Sequence, residues 1–128
     1  MSSLKKLILS LLLLTTSLSA NSIDKAFAFA IYDENGRSEN IQNTKNTQHD
    51  YNEICYTKIA VFGKVQHNTK VESKIGNSIG TFVSKEPILN FRKIVIGYEY
   101  TFKHLTVSSG LLQVVVNNRL FDSRVFVK

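Results

Sequence analysis

The stretch Lys93-Ile94-Val95-Ile96-Gly97-Tyr98-Glu99-Tyr100-Thr101-Phe102-Lys103 decides how this chain folds. Its large apolar residues Ile94, Ile96, Tyr98, Tyr100 and Phe102 fall on even positions, with Lys93, Gly97, Glu99, Thr101 and Lys103 on odd ones. Successive side chains of an extended backbone point to opposite faces, so a period of two predicts a strand with its even face buried. A second β-branched run, Leu111 to Val116, ends at Asn117-Asn118. Asparagine tolerates the positive φ of a tight hairpin turn, so the chain is expected to return as Arg119 to Val127.

Working back towards the N-terminus, Ala26 to Tyr32 alternates small and large residues and reads as a first strand. Ile54 to Val65 reads as a second, and Gln66-His67-Asn68-Thr69 as a turn. Val71 to Ile75 and Ile79 to Val83, separated by Gly76-Asn77-Ser78, predict a short hairpin. Pro87 cannot donate a hydrogen bond, so Lys85-Glu86-Pro87 is expected to break the ladder. Between the first two strands lies Asp33 to Asn52, polar and nearly free of apolar residues, which reads as a long loop or disordered insertion. After the N-terminal segment no stretch keeps a helical period. About seven short strands punctuated by turns predict an all-β fold, an antiparallel immunoglobulin-like β-sandwich, with a small barrel as the alternative.

The N-terminus carries Lys5-Lys6, an apolar run from Leu7 to Leu14 broken only by Ser10, and small residues up to Ala20. These are the parts of a secretory signal peptide over residues 1–20, and the run is short of the roughly 20 apolar residues a bilayer span requires. The expectation is a single domain over 21–128, with a polar loop at about 33–52, in the periplasm or outside the cell. Cys55 is the only cysteine, so no internal disulfide can form. Its place between Ile54 and Tyr56 suits a buried thiol acting as a small hydrophobe, although an intermolecular disulfide stays open.

Charge is uneven. Residues 21–55 carry six acidic and three basic side chains, whereas residues 56–128 carry four acidic and eleven basic. Such asymmetry offers a face for an acidic partner, and it equally describes a solvated surface with lysines that block edge pairing. Export argues against nucleic acid as the partner.

No catalytic signature emerges. His49, His67 and His104 each fall in or beside a polar loop without a metal-ligand spacing, and all three read as surface histidines. His104 near Ser108-Ser109-Gly110 lacks the strand-turn-helix elbow and an orienting acid, so no nucleophile pair is assigned. Gly76-Asn-Ser-Ile-Gly80 lacks the lysine and helix of a phosphate loop. Asp33-Glu34-Asn35-Gly36 has too few oxygens at calcium-loop spacing. The expectation is no enzyme, no cofactor and no metal, leaving recognition through β surface, where an exposed sheet edge can add a partner strand.

From Cys55 onward the order of features resembles the small periplasmic immunoglobulin-like proteins of curli biogenesis, which keep amyloid subunits from polymerising early. The similar features are Cys55-Tyr-Thr-Lys-Ile-Ala-Val opening a strand and the polar hairpin Glu72-Ser-Lys-Ile-Gly76. Glu86-Pro87-Ile88-Leu89 then leads a strand, and Leu112-Gln-Val-Val-Val-Asn-Asn-Arg-Leu-Phe closes the chain. Members resembled here carry Cys-x-Cys, whereas this chain has Cys55-Tyr56-Thr57, so no redox role for a cysteine pair carries over. The resemblance implies an accessory protein of curli-like fibre assembly, a chaperone or inhibitor that touches extended or unfolded fibre subunits. Lys58, Arg92, Lys93 and Lys103, cations on or beside predicted strands, are the candidate contact residues. The alternative is an exported binding or adhesion module with a folded protein partner.

Overall fold

The computed structural model describes residues 22–128, so the expected signal peptide lies outside the described residues. It contains nine strands: β1 (Ile23–Asp33), β2 (Ser38–Asn40), β3 (Cys55–Gly63), β4 (Val71–Ile75), β5 (Ser78–Ile79), β6 (Thr81–Leu89), β7 (Val95–His104), β8 (Gly110–Val116) and β9 (Arg119–Val127). They form two antiparallel sheets, one ordered β2-β1-β3-β7-β6 and the other β5-β4-β8-β9. Taken in chain order without β2, the first sheet is A-B-E-D and the second C′-C-F-G, which is the strand order of immunoglobulin-like sandwiches. The architecture is therefore the one expected, with nine strands in place of about seven.

The core lies between the sheets. Ile31, Ile59 and Val61 from the first sheet face Ile75, Leu112, Val114, Val116, Val125 and Val127 from the second, all fully or almost fully buried. Tyr100 and Phe102 on the even face of β7 are buried as the alternation requires, but Ile94 and Ile96 are exposed. The reason is the register: β7 stops pairing with β3 at Gly97, opposite Phe62, so beyond that point β7 is flanked by β6 alone. Gly97 itself marks a close approach, since a Cβ there would sit 2.2 Å from the Val61 carbonyl oxygen. Cys55 is buried and free, and its thiol is pushed up to about 12, by burial first and then by nearby Asp33.

Four expectations are corrected. First, the segment after β1 is not a featureless loop. It contains β2, and it buries Ile41, Thr47 and Tyr51. Asn46 bridges Phe126 in parallel, with the Thr47 N–H donating to the Phe126 carbonyl at 3.0 Å and the Phe126 N–H to the Lys45 carbonyl at 2.8 Å. Residues 45–47 thus strap the outer edge of β9. Second, Thr81 to Val83 does not complete a hairpin with β4. After β5 the chain crosses at Gly80 to the other sheet, where a Cβ would lie 2.8 Å from both His104 Nε2 and Phe102 Cβ. Third, Pro87 does not break a strand, because β6 pairs with β7 through it, Pro87 opposite Tyr98. An edge strand needs donors on one side only, and there proline is tolerated.

Fourth, His104 is fully buried, not on the surface. Its Nε2 lies 3.1 Å from Ser73 Oγ and 3.3 Å from Thr57 Oγ1, and its Nδ1 lies 3.2 Å from Ser78 Oγ. These hydroxyls come from β3, β4 and β5, so the imidazole joins the two sheets through a hydrogen-bonded cluster. His49 and His67 are exposed, as expected.

Candidate functional site

A sandwich of open sheets has four edges, and this chain treats them differently. β2 has three residues and β5 two, too short to template a partner. β9 is long but is covered by the strap at residues 45–47. β6 is nine residues long, pairs with β7 on one side, and has no strand on the other among the described residues. Of its residues only Ser84 and Ile88 are half-buried, and the rest are exposed.

The chemistry along β6 changes with position. Phe82 and Val83 make an apolar entry, where Phe82 meets Tyr100 and Phe102 edge-on at 6.4 Å each. Lys85-Glu86-Pro87 occupies the middle, and Lys85 Nζ sits 4.3 Å from the Tyr98 ring centre and 5.7 Å from that of Tyr100. Ile88 and Leu89 make an apolar exit. Charge and proline at the centre are the devices by which natural edges avoid unlimited self-pairing. The apolar ends leave two places where an extended chain could anchor side chains.

The four candidate cations do not converge. Lys58 and Lys103 share the outer face of the first sheet on adjacent strands, Lys58 opposite Thr101 and Lys103 opposite Tyr56. Lys58 Nζ donates to Glu99 at 2.9 Å, and that hydrogen bond chiefly raises its pKa above the ordinary lysine value. Lys103 Nζ lies 4.0 Å from Glu34 and 5.9 Å from the Tyr56 ring centre. Arg92 and Lys93 sit in the turn between β6 and β7, beyond the end of that face. Two of the four are thus already engaged by carboxylates of this chain. The β6 edge is hidden in the sequence because Pro87 reads as a breaker. The signal that marks it is a proline inside an otherwise strand-like run.

An open cleft of about 400 Å³ beside the β1–β2 turn is lined by Asp33, Glu34, Asp50, Glu53 and Arg37. Its carboxylates hold the turn: Asp33 Oδ1 accepts from the Asn35 and Arg37 N–H groups, and Glu34 accepts from the Tyr56 hydroxyl. Among the described residues no group of three or more His, Cys, Asp or Glu side chains is placed to hold a metal ion. Nor is any described helix long and apolar enough to cross a membrane.

The geometry defines an immunoglobulin-like sandwich with one long uncovered edge. No family model, curated protein or solved structure matches the chain.

Proposed function

We propose that this chain is an exported, non-enzymatic recognition module that holds an extended polypeptide along the open edge of β6 and delays its self-association. The single observation that carries this reading is the contrast among the four edges: two are short, one is strapped, and among the described residues only β6 is both long and uncovered. Main-chain pairing supplies affinity in strand addition, and alternate side-chain contacts supply selectivity. The absent N–H of Pro87 and the charges of Lys85 and Glu86 limit that pairing, which favours brief contact over permanent capture. The client class is the one implied by the curli-type resemblance: an unfolded, amyloid-forming subunit.

Fibre growth of such a subunit is followed by a thioflavin-type dye, with the protein well below equimolar. The expected result is a longer lag, together with slowed hydrogen exchange at the β6 amides when client is present. Val83→Lys, an exposed change on β6, shortens the lag back towards that of the client alone. An unchanged lag at every ratio, or protection that falls on the Lys58 and Lys103 face instead of β6, sinks the proposal.

A further inference from the structure

The β6–β7 hairpin runs past the rest of its sheet. β7 leaves β3 at Gly97, yet its ladder with β6 continues to Leu89 opposite Val95. The overhanging segment bears Leu89, Phe91, Ile94, Val95 and Ile96, all exposed, Phe91 to 91%. Val95 and Ile96 are neighbours on a strand and so point to opposite faces, which makes the ribbon apolar on both sides. A groove on a protein partner covers one face. A wedge that is apolar on both faces suits a medium that surrounds it.

The turn also satisfies its own backbone. Asn90 Oδ1 accepts from the N–H groups of Arg92 at 2.8 Å and Ile94 at 3.1 Å. The Asn90 N–H donates to the Ile94 carbonyl at 3.0 Å, and the Lys93 N–H, at a positive φ of 62°, donates to the Asn90 carbonyl at 2.9 Å. Amide groups paired in this way can leave water at far lower cost than unpaired ones.

Charge points to the surface involved. No acidic residue lies between Pro87 and Tyr98, while Arg92 and Lys93 follow directly on Phe91. The register places Lys64, next to the last residue of β3, at this end of the sandwich. Lys70 precedes the Val71–Val116 pair of β4 and β8, Arg119 pairs with Val116 from β9, and the short link 64–70 brings both to the same end. Among the described residues, the acidic positions that the register places beside these five cations are Asp24 and Glu72, the latter paired with Lys70 at 3.1 Å.

We propose that this hairpin tip inserts into an anionic lipid bilayer surface, Phe91 and Ile94 entering the acyl boundary while Arg92 and Lys93 meet headgroup phosphates. Apolar burial and attraction to anionic lipid are the two contributions that hold such interfacial elements. The proposal stands independently of the polypeptide reading and adds a place for it, since β6 ends at this tip.

The chain has no tryptophan, so Phe91→Trp puts its sole indole at the tip of the full chain. The probes are vesicles of phosphatidylglycerol with phosphatidylethanolamine, and vesicles of phosphatidylcholine. Leu105→Trp is the control, an exposed site just past the opposite end of β7. The expected result is a shift of the Phe91→Trp emission to shorter wavelength, with quenching by brominated acyl chains, on the anionic vesicles only. Leu105→Trp stays unshifted. Adding Arg92→Ser and Lys93→Ser weakens partitioning about 30-fold, at roughly fivefold per cation, and added salt does the same. An unmoved Phe91→Trp emission on anionic vesicles overturns the proposal, as does an equal shift at both positions. A shift that grows with protein concentration alone assigns the tip to a second copy. One produced by an unfolded polypeptide without lipid assigns it to the β6 client. Either result also overturns the proposal.

Discussion

Lowering the pH should loosen this sandwich through His104. The ring is fully buried, and burial pulls its pKa down from 6.5 to about 4, opposed only in part by Ser78. In the unfolded chain the same imidazole takes up a proton near its ordinary value, so between those two limits the unfolded state binds more protons. Stability therefore rises with pH across that window: the contribution of neutral His104 is present above about pH 6.5 and is lost as pH falls towards 4. A shift of this size corresponds to about 3 kcal/mol at 1.36 kcal/mol per pH unit, a large share of the 5–15 kcal/mol typical of a domain. The assay is denaturant unfolding of the wild-type chain and of His104→Gln at several pH values from 7 to 4.5. Glutamine stays neutral, so every carboxylate contributes equally to both curves and the difference isolates the imidazole. At pH 7 the variant should be the weaker by about 1–3 kcal/mol, because the hydroxyls of Thr57, Ser73 and Ser78 lose a fitted partner. As pH falls the gap should close. Two parallel curves would refute the reasoning.

Three further outcomes follow from particular contacts. Arg124 donates to the carbonyls of Ala28, Ile41 and Gln42 and to the buried Asp122 carboxylate, tying β1, β9 and the segment after β2 together; Arg124→Ala should cost about 2–3 kcal/mol, read as a lower denaturation midpoint at unchanged slope. Gly97→Ala forces a Cβ against the Val61 carbonyl oxygen of β3, and should lower stability by about 3 kcal/mol or more, whereas Gly36→Ala, where a Cβ meets nothing but φ is positive, should cost only about 1 kcal/mol. Burial pushes the Glu39 carboxyl up, but the N–H groups of Gln48 and His49 and the Tyr51 hydroxyl outweigh it and hold it below its usual value, so Glu39→Gln should speed hydrogen exchange at Gln48 and His49 well before the β3 amides respond.

Much of the fold was legible because one period of two ran through the C-terminal third. Asn117 and Asn118 take the positive φ values of 50° and 66° that the turn chemistry required, and β4 spans Val71–Ile75 as read. The same alternation, carried two residues past Phe102, places His104 on the buried face. A histidine beside a polar loop is usually exposed, and that expectation competes with the alternation here. The strap was hidden for another reason. Ile41, Thr47 and Tyr51 are buried at spacings that fit no period, and the ladder bonds of residues 45–47 to Phe126 run between backbone groups, which leave no mark in side-chain pattern. The second half of β6 is hidden in the sequence because a proline reads as a breaker until the strand is known to lie at an edge. Which strand lies there depends on pairings far apart in sequence, and no local stretch contains them.

The uncovered edge is better understood beside the covered one. β9 and β6 are equally long, so an unprotected β9 would offer an equal template for unwanted pairing. The chain spends the segment 41–52 on closing β9, anchoring it at both ends: the Tyr51 N–H donates to the Lys128 carbonyl, and Arg124 grips the carbonyls of Ile41 and Gln42. Among the described residues no such segment crosses β6. Instead Lys85, Glu86 and Pro87 sit at its centre, where they leave the edge reachable but deny it a continuous ladder. Covering would have abolished contact, and a plain run of valines would have made contact permanent. A charged centre with an absent donor, set between Phe82-Val83 and Ile88-Leu89, is the intermediate case that the proposed function requires, two apolar points of contact without a continuous ladder.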